Sequence, residues 1–269
     1  MKIFKSFNIL NKEINFNESV GFVPTMGSLH KGHLSLIKFA KSKTKKTLVS
    51  IFVNPSQFND KKDFTQYPRN FKNDISILRK LKVDYVFLPS NKEIYKYGVN
   101  KKIKIIKKDI VLCAKYRKGH FQGVLAVMNR FMYNINASHV FLGEKDFQQI
   151  YLIKKYLQKK FKSKIVSCKT IRNSNKLPLS SRNILLSKKF IKRSEKISKL
   201  LFNFKKILLS NLGNIKLLEN YKSQIRNFCD KIEYLEIRNY KNLSKNFSRK
   251  NFRIFIAYWQ NGTRLIDNL

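Results

Sequence analysis

The chain has 269 residues, 43% of them hydrophobic, enough for a sizeable core in one large domain or two smaller ones. Its three cysteines, Cys113, Cys168 and Cys229, are far apart and form no Cys-x-x-Cys, which excludes a disulfide framework and a thiolate zinc site and points to a reducing cytosol. A formal net charge of +41 excludes nothing by itself, because Lys41–Lys46, Lys101–Lys108 and Lys154–Lys164 are separate clusters rather than one tail or stripe, as drift in composition would produce.

The stretch before Val20 mixes Lys, Asn and Glu with isolated apolar residues, unlike a signal peptide. No window approaches the roughly 18 apolar residues needed to cross a bilayer, so a soluble protein is expected. Short, nearly continuous apolar runs follow at Val20–Val23, Leu48–Val53, Tyr85–Leu88, Val140–Leu142 and Ile165–Val166. Runs of this kind suit strands buried on both faces of a parallel sheet. Helical spacing lies between them: Phe71, Ile75, Leu78 and Leu81 mark one face, with Pro68 as its first residue, and Val124, Met128, Phe131 and Ile135 another. Alternating strand and helix predicts an α/β fold, a Rossmann-like doubly wound domain over residues 1–172. Arg172–Asn183, rich in Asn and Ser, is the joint. Residues 173–269 then read as a smaller α+β domain acting as a lid, with helices at Ser187–Leu212 and Leu217–Cys229 and strands at Tyr234–Ile237 and Phe252–Trp259.

Ligands of open α/β sheets bind beyond the carboxyl ends of the strands, and the polar clusters fall there. After the first strand comes Pro24-Thr25-Met26-Gly27-Ser28-Leu29-His30-Lys31-Gly32-His33. Gly27-x4-Gly32 resembles the opening of a P-loop, but His33-Leu34 replaces its Lys-Ser/Thr pair. Its glycines would let backbone amides approach a phosphate at a helix start, with His30 and His33 adding donors; no third ligand accompanies them for zinc. Gln57 follows the second strand. Gly143-Glu144-Lys145-Asp146 follows a later one, offering a cation for phosphate and a carboxylate for Mg²⁺ or ribose. Ser180-Ser181-Arg182 supplies two hydroxyls and a guanidinium, and Gln57 and Gln149 suit a substrate carboxylate or hydroxyl.

Taken in order, Pro24–His33, Ser50–Phe58, Tyr67-Pro68-Arg69, Gly119-His120-Phe121, Phe141–Gln149, Leu179–Asn183 and Leu265–Asn268 resemble the pantothenate synthetase family of the nucleotidyltransferase superfamily. The resemblance implies condensation of pantoate with β-alanine, ATP yielding AMP and pyrophosphate through a pantoyl adenylate. It implies Mg²⁺, a cytosolic setting, a homodimer, and neither a membrane nor a specific nucleic acid as partner. By the same resemblance ATP is held by Met26, Gly27, Ser28, Leu29, His30, Lys31, Gly32, His33, Gly143, Glu144, Lys145, Asp146, Ile171, Leu179, Ser180, Ser181 and Arg182. His33 is then the proton donor, with His30, Lys145 and Arg182 also catalytic, and Asp146 holds Mg²⁺. Gln57 and Gln149 hold pantoate, and Gln57 also β-alanine. Two departures stand out. Asn175-Lys176 occupy the place of the family's Asp-Gly, with Pro178 after them; and Leu112–Lys118 lacks the usual acid and Pro, which puts loop dynamics and turnover at issue. The rival readings are another adenylyl-transfer enzyme of the superfamily and a basic nucleic-acid binder derived from the same fold.

Overall fold

The computed structural model describes residues 1–96, 98, 103–210 and 215–269. Residues 101 and 102 of the lysine run at 101–108, and residues 211 and 212 of the expected long helix, lie outside the described residues. The described chain forms two compact units: Met1–Lys107 with Arg117–Lys169, and Lys108–Tyr116 with Thr170–Leu269.

The first unit is built on six parallel strands, β1 (Lys2–Phe4), β2 (Val20–Thr25), β3 (Lys46–Ile51), β4 (Tyr85–Phe87), β5 (His139–Gly143) and β6 (Lys164–Cys168), in the order β1-β4-β3-β2-β5-β6. The five apolar runs are strands, as expected. The edge strand β1 escapes sequence reading because it has three residues, of which only Phe4 is buried. Its helices are α1 (Phe7–Glu13), α2 (Lys31–Lys43), α3 (Lys61–Gln66), α4 (Phe71–Lys80) and α5 (Asn91–Ile94), and, beyond α6 (Cys113–Tyr116), α7 (His120–Asn134) and α8 (Phe147–Leu157). On one face of the sheet Ile37 and Ala40 of α2 and Leu78 of α4 pack on Val23, Val49, Val86 and Phe141. On the other, Phe131 of α7 meets Phe22 edge-on at 5.4 Å and also contacts Phe52 and Phe87, while Phe7 of α1 lies 4.8 Å from Phe87. Truncating such a fully buried ring costs about 3–5 kcal/mol. Helices therefore cover both faces, which is why the strands read as unbroken apolar runs.

One helix start differs from expectation. α4 begins at Phe71, not Pro68, because the Asn70 side chain accepts the Asn73 amide and caps the helix there. Phe71 is 49% exposed, and the buried positions of α4 are Asp74 and Leu78.

Chain order along the sheet runs outward from β2 through β3 and β4 on one side, and from β5 to β6 on the other. The turns leaving β2 and β5 therefore diverge, opening a crevice at their carboxyl ends.

The second unit carries α9 (Lys188–Ser210), α10 (Ile215–Arg226) and an antiparallel sheet, β7 (Lys231–Asn239), β8 (Phe252–Gln260) and β9 (Thr263–Asn268), in the order β7-β8-β9. Ile197, Leu201, Phe204 and Leu208 recur at helical spacing on α9 and share a core with Tyr221, Ile225, Ile254, Ile256 and Tyr258. The boundary differs from the expected break at residue 172. The unit starts at Thr170 and takes in Lys108–Tyr116, a segment that sequence pattern assigns to the first domain. That segment is held inside the second unit by Tyr116, stacked on Tyr234 at 5.6 Å, and by Cys113, whose Sγ lies 3.0 Å from the Tyr234 hydroxyl. All three cysteines are free and buried, and burial pushes the Cys168 and Cys229 thiols up to about 11. Among the described residues no helix is long and apolar enough to cross a membrane.

Candidate active site

The loop leaving β2 is held by its own hydrogen bonds. Thr25 Oγ1 donates to the Ser50 carbonyl at 2.7 Å and accepts the Gly27 amide at 3.2 Å. Gly27 and Ser28 are consecutive left-handed residues, at φ +77° and +51°, a geometry natural for glycine and strained for serine. Their turn aims the Ser28 and Leu29 amides at the carboxylate of Asp74, both at 2.8 Å.

His30 is the N-cap of α2, in extended conformation, and His33 is its third residue. His30 Nδ1 accepts the Gly32 amide at 3.1 Å, and His33 Nδ1 accepts the His30 amide at 3.4 Å. With both Nδ1 atoms acting as acceptors, each neutral ring carries its proton on Nε2 and offers it as a donor. The ring centroids are 4.2 Å apart. Burial and, next, the charge of Lys145 lower the His30 pKa to about 4, against a smaller opposing effect of Asp146. Burial, then His30, then Lys145 lower that of His33 to about 3. Both rings are thus neutral at physiological pH. They are donors of hydrogen bonds, as the sequence reading expected, and carry no standing positive charge.

The amides of the loop are also accounted for. Those of Gly27, Ser28, Leu29, His30 and Gly32 all have partners inside the protein. These five amides are engaged within the protein, while the imidazole Nε2–H groups remain as donors.

At the neighbouring strand end, β5 delivers Gly143 and a 3-10 turn over Glu144–Asp146 that leads into α8. Lys145 Nζ lies 3.2 Å from Asp146 Oδ1. Gln149 is partly buried in the first turn of α8. Gln57 closes a 3-10 turn (Pro55–Gln57) after β3. Its Nε2 lies 3.1 Å from Met26 Sδ, and its Oε1 accepts Asn54 Nδ2 at 3.1 Å, which joins the β2 and β3 loops. Behind it Asn54 Nδ2 donates to the Gly123 carbonyl, and His120 Nδ1 lies 2.6 Å from the Gln57 carbonyl. Met26, Gln57, His30, His33, Lys145 and Asp146 thus belong to one neighbourhood in the first unit. The supports Asp74, Asn54 and His120 received no role from sequence. Asp74 had a signal: a charged side chain one turn from Leu78 on an otherwise apolar helix face.

The remaining expected residues lie in the second unit. Leu179 donates its amide to the Ile171 carbonyl at 3.0 Å, and Arg172 and Pro178 form a bridge, so Ile171–Leu179 is a closed loop. Asp267 grips Arg172 through two 2.7 Å bonds at its base. Asn173 and Asn175 both donate to Glu195 of α9, at 2.7 and 3.0 Å; an acid at position 175 would meet that carboxylate with like charge. Lys176 adopts φ +72°, the left-handed geometry its glycine-like place implied. Ser180 caps the turn that holds Ser181 and Arg182, accepting the Arg182 amide at 3.3 Å.

Among the described residues no group of three or more His, Cys, Asp or Glu could hold a metal ion. Mg²⁺ carried by a triphosphate keeps most of its water and needs only one or two carboxylates, a demand that the partly exposed Asp146 fits.

A parallel α/β sheet with two fixed imidazole donors and a lysine at its switch point defines an enzyme that handles phosphorylated ligands. The profile of the family described as pantoate-β-alanine ligase matches residues 2–269. A pantothenate synthetase of Francisella philomiragia is 38% identical over 99% of this chain and 95% of its own. A crystal structure of pantothenate synthetase from Thermus thermophilus is 30% identical, with TM-score 0.93, covering 100% of this chain and 99% of that one. Another, the pantoate-β-alanine ligase of Francisella tularensis complexed with β-γ ATP and β-alanine, is 35% identical, with TM-score 0.85, over 100% and 97% of the two chains. The chain belongs to the pantoate-β-alanine ligase family. Its reaction is the ATP-dependent joining of pantoate to β-alanine. The nucleic-acid reading finds no support among these relatives.

Proposed function

We propose that the reaction proceeds through a pantoyl adenylate. A pantoate carboxylate oxygen attacks the α-phosphorus of ATP and pyrophosphate leaves with the bond electrons. The β-alanine amine then attacks the acyl carbon, loses a proton, and AMP departs. The carrying observation is the pair of imidazoles locked as Nε2–H donors within reach of the Lys145 charge. Developing negative charge on the phosphates is met by His30, His33 and Lys145. Because His33 starts neutral, its role is to donate a hydrogen bond; a bound triphosphate would raise its pKa toward that of a proton donor. Met26, Gly27, Ser28, Leu29, Lys31 and Gly32 shape this wall, beside Gly143 and Glu144; the family resemblance alone assigns Ile171, Leu179, Ser180, Ser181 and Arg182 to ATP. Gln57 and Gln149 hold pantoate by neutral hydrogen bonds, Gln57 also meeting β-alanine. Asp146 is the residue that would hold Mg²⁺, which would supply further charge screening. Three free thiols suit the cytosol, and the homodimer follows from the resemblance alone.

The test is AMP release that requires both pantoate and β-alanine, together with pantoate-dependent pyrophosphate exchange in the absence of β-alanine. His33→Ala is expected to lower kcat by about a hundredfold to a thousandfold. Exchange that proceeds without pantoate would sink the proposal.

A further inference from the structure

Asp74 is the unusual residue of the first unit. It is fully buried, 0% exposed, on a helix whose other buried position is Leu78. A carboxylate so placed carries a solvation cost unless its partners compensate. Here they are two successive amides 46 and 45 residues away in sequence, Ser28 on Oδ2 and Leu29 on Oδ1, each at 2.8 Å. Turns of successive amides form anion-binding concavities, and in phosphate-binding loops the anion is the ligand's own. In this chain the protein's carboxylate has taken that place. The fit is close: a Cβ on Gly27 would sit 3.0 Å from Asp74 Oδ2.

We propose that Asp74 is a positioning residue for ATP: its carboxylate stands in for a phosphate in the loop's amide concavity and thereby fixes the turn that places His30 and His33. The proposal rests on the reading of this loop as the nucleotide site. It explains how the loop keeps two consecutive left-handed residues, since the Asp74 bonds span the turn. It also explains why a charge persists where an apolar side chain would pack. Burial raises the Asp74 pKa and outweighs the lowering by the two amide bonds, so the ionised form does not serve stability. Nucleotide binding then finds the imidazoles already aimed, and the loop does not have to be ordered on arrival of ATP.

In Asp74→Asn the carboxamide keeps one acceptor but turns an N–H donor toward a backbone amide. The expected result is a ten- to hundredfold fall in kcat/KM for ATP, on the scale of one lost charge-assisted bond. KM for pantoate, read in pyrophosphate exchange, stays within about threefold and the melting temperature barely moves. Parallel losses for both substrates in step with a falling melting temperature, or unchanged ATP kinetics, overturn the proposal. Hydrogen exchange on the wild-type protein tests it independently of any variant. The Ser28 and Leu29 amides should be protected without nucleotide and no more so with a non-hydrolysable ATP analogue. Amides that exchange freely until the analogue is added would assign the concavity to ATP and end the idea. A wild-type enzyme idle with pantoate would instead count against the reaction, leaving the exchange result to judge Asp74.

Discussion

At the residue scale the two histidines show how little spacing alone says about chemical state. Two imidazoles three positions apart after a glycine-bearing turn are legible in the sequence. Their protonation is not, because it depends on burial and on Lys145, which lies more than a hundred residues further along. The folded pKa values of about 4 and about 3 lie below the ordinary 6.5. As pH falls below about 6.5 the unfolded chain takes up these protons while the folded one does not. Stability is therefore intact above that pH and is lost progressively down to about 3. Urea unfolding at pH 7 and pH 5 should show a fall for which His33 accounts for on the order of 1–2 kcal/mol. His33→Asn should show a smaller fall over the same interval; an equal one would contradict the neutral, buried state. Lys176 is the opposite case. Its left-handed backbone is foreseeable from the glycine-like place it occupies, because the demand is local.

At the element scale, strands covered on both faces were readable, whereas the edge strands β1 and β9 were not. β2 and β3 declare themselves as unbroken apolar runs because helices shield both sides. β1, with one buried residue in three, carries no such pattern. β9 was missed for a different reason. Its charged Arg264 and Asp267 mask the strand, although the preceding Asn261-Gly262, both at positive φ, is the usual signature of a two-residue hairpin turn. Pro68 misled because a proline suits a first turn, but Asn70 offers the better cap two residues on. The contact of α7 with the turn Pro55–Gln57 was likewise out of reach of periodicity, being set by a missing side chain. A Cβ on Gly123 would lie 2.1 Å from the Ser56 carbonyl oxygen. Gly123→Ala should therefore push helix and turn apart, costing about 1–3 kcal/mol and displacing Gln57. Thermal melting and KM for pantoate should both worsen, while affinity for ATP changes little. A variant with unaltered pantoate KM would show that the turn tolerates the shift.

At the scale of the whole molecule, 57 basic residues face 16 acids. Several of those acids are turned inward: Asp74 to the β2 loop, Asp267 to Arg172, Glu233 to Arg264 and Glu195 to two asparagines. They do little to offset the positive surface, so self-repulsion should oppose the compact state at low salt. Raising NaCl from about 20 to about 300 mM shortens the screening length severalfold and should lift the melting temperature by about 2–4 °C or more. A flat or falling response would mean that the charges are already balanced locally. Alternation of strand and helix made the α/β architecture legible, and the change of pattern after it made the α+β tail legible. The membership of Lys108–Tyr116 was not, because it is decided by aromatic stacking more than a hundred residues away.

That stitched connectivity limits how the protein can be taken apart. A fragment expressed from Thr170 onward would lack the short stretch of chain that supplies Cys113 and Tyr116, leaving Tyr234 without its stacking partner and its thiol neighbour. No single scission of the backbone releases the second unit whole, and during synthesis its earlier piece must wait for the later one to emerge from the ribosome.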